Sequence, residues 1–77
     1  MEDHMQVHEL ASILSKGYLS AAPGEAVLSI HLFGIRYAEE LKGHSLPEIL
    51  ALADLPKSYG TEIRKGMRLA EYVEIRT

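Results

Sequence analysis

Several residue types and patterns that mark particular protein classes are missing from this 77-residue sequence. It contains no cysteine, which excludes disulfide bonds and zinc sites built from thiolates. No apolar run approaches the roughly 20 residues that a transmembrane helix needs. The acidic segment at residues 1–4 carries no apolar signal region. These absences favour a cytoplasmic protein and predict no contact with a membrane.

The sequence also lacks the patterns that mark common catalytic sites. It has neither a glycine-rich phosphate loop nor a nucleophile elbow, and a chain of this length leaves little volume for a substrate cleft. His4 and His8 have the i, i+4 spacing of a metal-binding pair, but no third ligand accompanies them, and surface histidines are favoured. We therefore predict no enzyme, no metal site and no cofactor.

Length and composition indicate one folded domain that covers residues 1–77. Hydrophobic residues make up 47% of the chain and charged residues 25%, which is ordinary for a soluble folded protein. A domain of this size buries only about 60–65% of the surface of its unfolded chain, so its core is marginal. Self-association is therefore expected to add stability, and a homodimer is predicted.

Positive charge is concentrated at the carboxyl end of a chain whose net charge is −3. Residues 1–56 hold three Lys or Arg and eight Asp or Glu, whereas residues 57–77 hold five and three. The first segment is therefore acidic and the second is cationic. A cationic segment in an acidic chain indicates where an anionic partner such as nucleic acid would bind.

Apolar periodicity predicts two helices in the first half of the chain. A first helix is expected over residues 5–15, closed by Gly17, and a second over residues 25–42, closed by Gly43. Apolar residues of the second helix point in more than one direction, which a surface helix does not need. We therefore expect helix 25–42 to be central to the domain and shared with the second subunit of a homodimer.

The second half of the chain has the pattern of a helix-turn-helix over about residues 45–73. Ser45 and Glu48 have the spacing of a capping box, which marks a helix start. The short helix that follows ends before Pro56, because a residue that precedes proline avoids the α conformation. A second helix is predicted over residues 58–72, and two helices joined this closely form a helix-turn-helix.

The last five residues, 73–77, alternate apolar and polar side chains. This pattern fits either a very short strand or a frayed end. The predicted fold is therefore all-α: a small four-helix domain containing a helix-turn-helix, with or without a very short C-terminal strand.

The predicted helix 58–72 has one apolar and one cationic face. At about 100° per residue, Ile63, Met67 and Ala70 share one side, and the basic residues fall on the opposite side. A major groove accepts a helix of this kind. The candidate DNA-binding residues are Lys57, Ser58, Tyr59, Thr61, Arg64, Lys65 and Arg68.

These candidates differ in the contacts that their chemistry favours. Arg64 and Arg68 suit bidentate hydrogen bonds to guanine, whereas Lys57 and Lys65 suit phosphate. Hydroxyl groups at the helix start could donate to phosphates or bases, and they belong to Ser58, Tyr59 and Thr61. The alternative for the whole face is an ordinary solvated helix surface.

Two glycines lie inside this helix, where glycine costs about 1 kcal/mol relative to alanine. Gly66 is on the inward side, which favours close approach of another helix. Gly60 fits equally well with a structural role and with a close approach of the backbone to DNA.

The turn between the two helices resembles that of bacterial transcriptional regulators. The segments that carry the resemblance are Ser45-Leu46-Pro47-Glu48-Ile49 and Asp54-Leu55-Pro56-Lys57-Ser58. They are similar to the acetate-operon repressor type (IclR), which reads Leu-Pro-Lys-Ser-Thr at this turn, although Asp54 stands where that type has glycine. Too few residues follow Tyr72 to form the wing of that family. The resemblance implies that the helix after the turn is a DNA-recognition helix.

These observations predict a sequence-specific DNA-binding transcriptional regulator, of bacterial or phage type, that acts as a homodimer on double-stranded DNA. Its half-sites would be about 34 Å apart. The alternative is a small helical protein-interaction module, adaptor or antitoxin-like, that docks through the apolar helix 25–42. Binding to duplex DNA that weakens as salt rises distinguishes the two.

Overall fold

Helices form nearly all of the regular structure in the computed structural model, which describes residues 5–76 and contains no strand in that range. The all-α prediction is confirmed, with five helices in the described chain instead of four. Their bounds are α1 Val7–Leu19, α2 Ala26–Arg36, α3 Ala38–Leu41, α4 Leu46–Leu52 and α5 Tyr59–Leu69.

Helix α1 is longer than the predicted helix 5–15. The backbone amide of Gln6 donates to Glu9 Oε1 over 2.7 Å at its start. The helix then continues through Gly17, and both the amide and the hydroxyl of Ser20 donate to the carbonyl of Lys16. The helix does not stop at Gly17, because Tyr18 belongs to it and packs against the core.

The predicted helix 25–42 is interrupted at Tyr37, which separates α2 from α3. Tyr37 has φ −111° and ψ 25°, outside the α-helical region. Its ring packs on Phe33 with 5.4 Å between ring centroids. The interruption redirects the chain so that Ala38 and Leu41 enter the core. A single continuous helix was therefore the wrong prediction for this segment.

The core lies between α1, α2, α4 and α5, with the short α3 closing one side. Its fully buried side chains come from all five helices: Leu10, Leu14, Ile30, Leu41, Ile49, Leu50 and Ile63. Helices α2 and α5 form the most extensive pair. Helix α2 is therefore central to the domain, as predicted from its apolar faces.

Helices α2 and α5 meet backbone to backbone at Gly34 and Gly66. A Cβ atom on Gly66 would overlap the carbonyl oxygen of His31 and would stand 3.0 Å from the Cα of Gly34. A Cβ atom on Gly34 would overlap the carbonyl oxygen of Ile63 in the same way. Only glycine fits at either position without a backbone shift, and the predicted role of Gly66 in close helix approach is confirmed.

The chain after α5 turns back along the helices. Residues 73–76 have no regular secondary structure, and Thr77 lies outside the described residues. Ile75 is half-buried beside a groove that Ile13 and Leu32 also line. Within the described part of the chain, the C-terminal strand that the alternation allowed is not formed.

Candidate nucleic-acid interface

Helix α4, the first helix of the predicted helix-turn-helix, begins at the cap that the sequence indicates. The backbone amide of Glu48 donates to Ser45 Oγ over 3.2 Å, which satisfies one of the free amides of the first turn. Pro47 lies within that first turn, where its missing N–H group costs no hydrogen bond. The helix therefore starts at a position fixed by local chemistry.

The turn after α4 is a Schellman motif centred on Asp54. The amide of Leu55 donates to the carbonyl of Leu50 over 2.9 Å, and the amide of Asp54 donates to that of Ala51 over 3.1 Å. Asp54 has φ 61°, a left-handed conformation that glycine adopts most easily and that aspartate tolerates. Leu55 packs against the core cluster to which Leu50 belongs, which agrees with the hydrophobic contact that usually accompanies this motif. The turn thus directs the chain into α5.

Helix α5 is anchored at its first residue by a contact with α1. The hydroxyl groups of Tyr18 and Tyr59 are hydrogen-bonded over 3.2 Å, and their ring centroids are 5.6 Å apart. This hydrogen bond is the main reason why the pKa of Tyr59 is raised above its ordinary value of 10.0. Tyr59 is therefore directed toward α1, and sequence reasoning, which grouped it with the DNA-contacting residues, missed this role.

The other candidate residues are exposed. They are Lys57 and Ser58 in the turn and Thr61, Arg64, Lys65 and Arg68 on α5. On the opposite side of the same helix, Gly60, Ile63 and Gly66 are buried. Helix α5 thus has the two distinct faces that its sequence predicts.

Gly60 lies on the inward side of α5. A Cβ atom there would be 3.7 Å from Leu50 Cδ1 and 3.6 Å from Arg64 Nη1, which are ordinary contact distances. Its backbone is buried against α4. The structural interpretation of this glycine is therefore supported, and a close approach to DNA at this position is not.

The exposed cations of α5 point in two directions. Arg64 and Arg68 line the same groove, which has a volume of about 480 Å³ and lies between α5 and the segment that joins α3 to α4. Lys65 lines a second groove together with Arg68 and Tyr72, and its Nζ lies 3.6 Å from Glu62 Oε1 of the same helix. The two arginines are brought together, whereas Lys65 lies on the flank of the helix.

The groove also contains residues that sequence reasoning missed. Lys42 and His44 line it opposite the two arginines, and Leu41, Leu46 and Met67 form its apolar surface. The one sequence signal for Lys42 and His44 is their position just before the Ser45 cap. Both residues are far from α5 in the sequence, so the sequence does not show that they share a groove with Arg64 and Arg68.

His31 and Glu62 form the polar contact between α2 and α5. His31 Nε2 lies 2.5 Å from Glu62 Oε1, and both side chains are partly exposed. Hydrogen bonding to His31, followed by the nearby charges of Lys65 and His31, lowers the pKa of Glu62 below its ordinary value of 4.5. This contact therefore links α2 to α5 through side chains that are 31 residues apart in the sequence.

Other kinds of site find no support in residues 5–76. No group of three His, Asp or Glu side chains in that range could hold a metal ion, and His4 lies outside the described residues. Of the helices in this part of the chain, none has the length and apolar character needed to cross a membrane.

The capped α4, the tight turn and the two-faced α5 together define a helix-turn-helix domain, a class of fold whose typical partner is DNA. A family model described as an HTH-like domain matches residues 6–76. The chain belongs to this family of HTH-like domains. No curated protein and no solved structure matches it significantly. The closer resemblance to the IclR type remains a prediction.

Proposed function

We propose that this protein is a sequence-specific transcriptional regulator that binds double-stranded DNA with α5 in the major groove. One observation carries the proposal. The cationic side of α5 is exposed, while its opposite side is held in place by the glycine contact with α2. A rigidly held helix with free arginines is the kind of element that reads base edges.

The candidate residues take different parts in this interface. Arg64 and Arg68 contact base edges, because a guanidinium group can form two hydrogen bonds to guanine. Lys57 and Lys65 contact phosphates on either side, and the hydroxyl groups of Ser58 and Thr61 donate to phosphates or bases. Tyr59 acts as a positioning residue for α5 through its contact with Tyr18.

A homodimer would provide the second recognition helix. Val27, Leu28 and Leu32 of α2 are exposed to 42%, 47% and 41%, an unusual proportion for apolar residues on one short helix. Pairing of two copies through this side would bury these side chains. In this arrangement the protein is a bacterial, cytoplasmic regulator that binds two half-sites about 34 Å apart.

Binding to a fluorescently labelled random-sequence duplex, measured by anisotropy over a range of salt concentrations, tests the proposal. We expect the affinity to fall steeply as salt rises, because neutralised phosphates release counterions. The Arg64→Gln/Arg68→Gln variant should bind at least about tenfold more weakly, since the side of α5 that faces the DNA loses two of its positive charges. The absence of binding by the wild-type protein at low salt would refute the proposal.

The matched control removes two cations away from α5. Lys16 is exposed on α1 and Arg76 is exposed near the end of the described chain. The Lys16→Gln/Arg76→Gln variant has the same net charge as the arginine variant. We expect its affinity to stay close to that of the wild-type protein. Equal losses in the two double variants would indicate that only net charge matters.

The exposed leucines of α2 also support a second candidate function, a protein-interaction module that docks through this helix. Sedimentation of a Leu28→Lys/Leu32→Lys variant separates the two roles of α2. If these residues form the homodimer contact, the wild-type protein sediments as a dimer and the variant as a folded monomer. A monomeric wild-type protein without DNA binding would favour the interaction module.

A further inference from the structure

The groove beside α5 has cationic side chains on both of its walls. Arg64 and Arg68 come from α5, whereas Lys42 comes from the segment between α3 and α4, which also contributes the polar ring of His44. No Asp or Glu lines this groove among residues 5–76. A different groove, near Ile75, is lined by three glutamates and one arginine. The groove beside α5 is therefore suited to an anionic partner.

Lys42 is available for such a partner. Its Nζ lies 3.0 Å from Glu39 Oε2, but the two side chains are 65% and 82% exposed. An exposed ion pair at i, i+3 contributes little to stability, because water screens both charges. The ammonium group can therefore leave Glu39 for a more highly charged anion at small cost.

His44 is held in place at the edge of the same groove. Its Nε2 donates to the carbonyl oxygen of Met5 over 2.9 Å, and the side chain is half-buried. With the proton on Nε2, Nδ1 can only accept a hydrogen bond, so the ring lines the groove and does not itself donate to a phosphate. The imidazole ring thus forms a fixed polar wall, whereas the side chain of Lys42 is exposed.

We infer that this groove binds a phosphate group of the DNA backbone through Lys42, beside the base-contacting arginines of α5. This inference depends on the proposed function and extends the interface from α5 to the segment before α4. The apolar floor, formed by Leu41, Leu46 and Met67, accommodates the adjoining deoxyribose. A phosphate held by the segment before α4, next to α5, fixes the angle at which α5 enters the major groove.

The test compares Lys42→Gln with Lys16→Gln, two variants that each remove one exposed lysine. The dissociation constant for a random-sequence duplex is measured against salt concentration. Loss of one phosphate contact should reduce the slope of log K against log salt by about 0.9. We expect this reduction in Lys42→Gln and a wild-type slope in Lys16→Gln. Identical slopes in the two variants would overturn the inference.

The outcomes also separate this inference from the proposed function. If the wild-type protein binds no duplex at all, the proposed function fails first. If the wild-type protein binds but Lys42→Gln behaves as Lys16→Gln does, only the groove assignment fails.

Amide chemical shifts distinguish the DNA backbone from a free anion. We expect the amides of Lys42 and His44 to shift when duplex DNA is added and not when inorganic phosphate is added at the same phosphate concentration. Saturation of these shifts by inorganic phosphate, without any response to duplex, would overturn the inference in favour of a small-anion site.

Discussion

The two sides of α5 place opposite demands on the sequence. On the inner side, Gly66 contacts the backbone of α2 so closely that one added methyl group overlaps a carbonyl oxygen. On the outer side, Arg64 and Arg68 are exposed, and nothing in the fold requires a particular side chain there. The inner side therefore fixes where the helix lies, and the outer side is free to determine what it binds.

The largest expected effect is that of Gly66→Ala. The new Cβ atom would overlap the carbonyl oxygen of His31, so the α2–α5 contact must open. We expect a loss of about 3 kcal/mol in the free energy of unfolding, at the upper end of overpacking effects. Urea denaturation followed by circular dichroism measures this loss of stability. A variant without a cooperative unfolding transition would also agree with the expectation. A change below about 1 kcal/mol would show that the contact is looser than described.

The same substitution at Gly60 provides the matched control. A Cβ atom there meets Leu50 and Arg64 at ordinary contact distances. Alanine also reduces the conformational entropy of the unfolded chain. We therefore expect Gly60→Ala to increase the free energy of unfolding by about 0.5 kcal/mol in the same assay. A destabilisation as large as that of Gly66→Ala would contradict the contrast between these two glycines.

A smaller effect is expected at Glu62, on the flank between the two sides. Because the pKa of Glu62 is lower in the folded than in the unfolded protein, its stabilising contribution is complete above the unfolded pKa. It is lost as the pH falls below about 4.5 and through the folded pKa.

Denaturation midpoints between neutral and acidic pH check this expectation. We expect the wild-type protein to lose more stability below pH 4.5 than the Glu62→Gln variant, which has no carboxylate to protonate. Parallel pH profiles would indicate that the contact with His31 does not stabilise the fold.

The smallest effect on stability is expected on the outer side. Arg64→Gln/Arg68→Gln should change the free energy of unfolding by less than about 0.5 kcal/mol, because both side chains are exposed. The same variant is expected to lose DNA affinity, so binding and stability separate on this side of α5. A large loss of stability would mean that the arginines also support the fold.

Local signals were sufficient to predict the helix-turn-helix. The cap at Ser45, the turn before Pro56 and the periodicity around Ile63 each depend on residues close together in the sequence, and each has the predicted place in the structure. The amphipathic character of α5 could be predicted for the same reason.

Three features that depend on tertiary contacts were not predicted. No proline or glycine marks the break at Tyr37, which follows from the packing of its neighbours in the core. The role of Tyr59 depends on Tyr18, which is distant in the sequence. The cationic groove likewise requires Lys42 to lie beside α5, and periodicity carries no information about such a contact.

The glycine contact has a mechanical consequence for a paired molecule. Between most packed helices, a layer of side chains can change rotamers and absorb a small displacement. Gly34 and Gly66 have no side chains that could adjust in this way. A tilt of α2 would therefore move α5 with it. If two copies join through α2, the angle between the two α2 helices would set the distance between the two α5 helices.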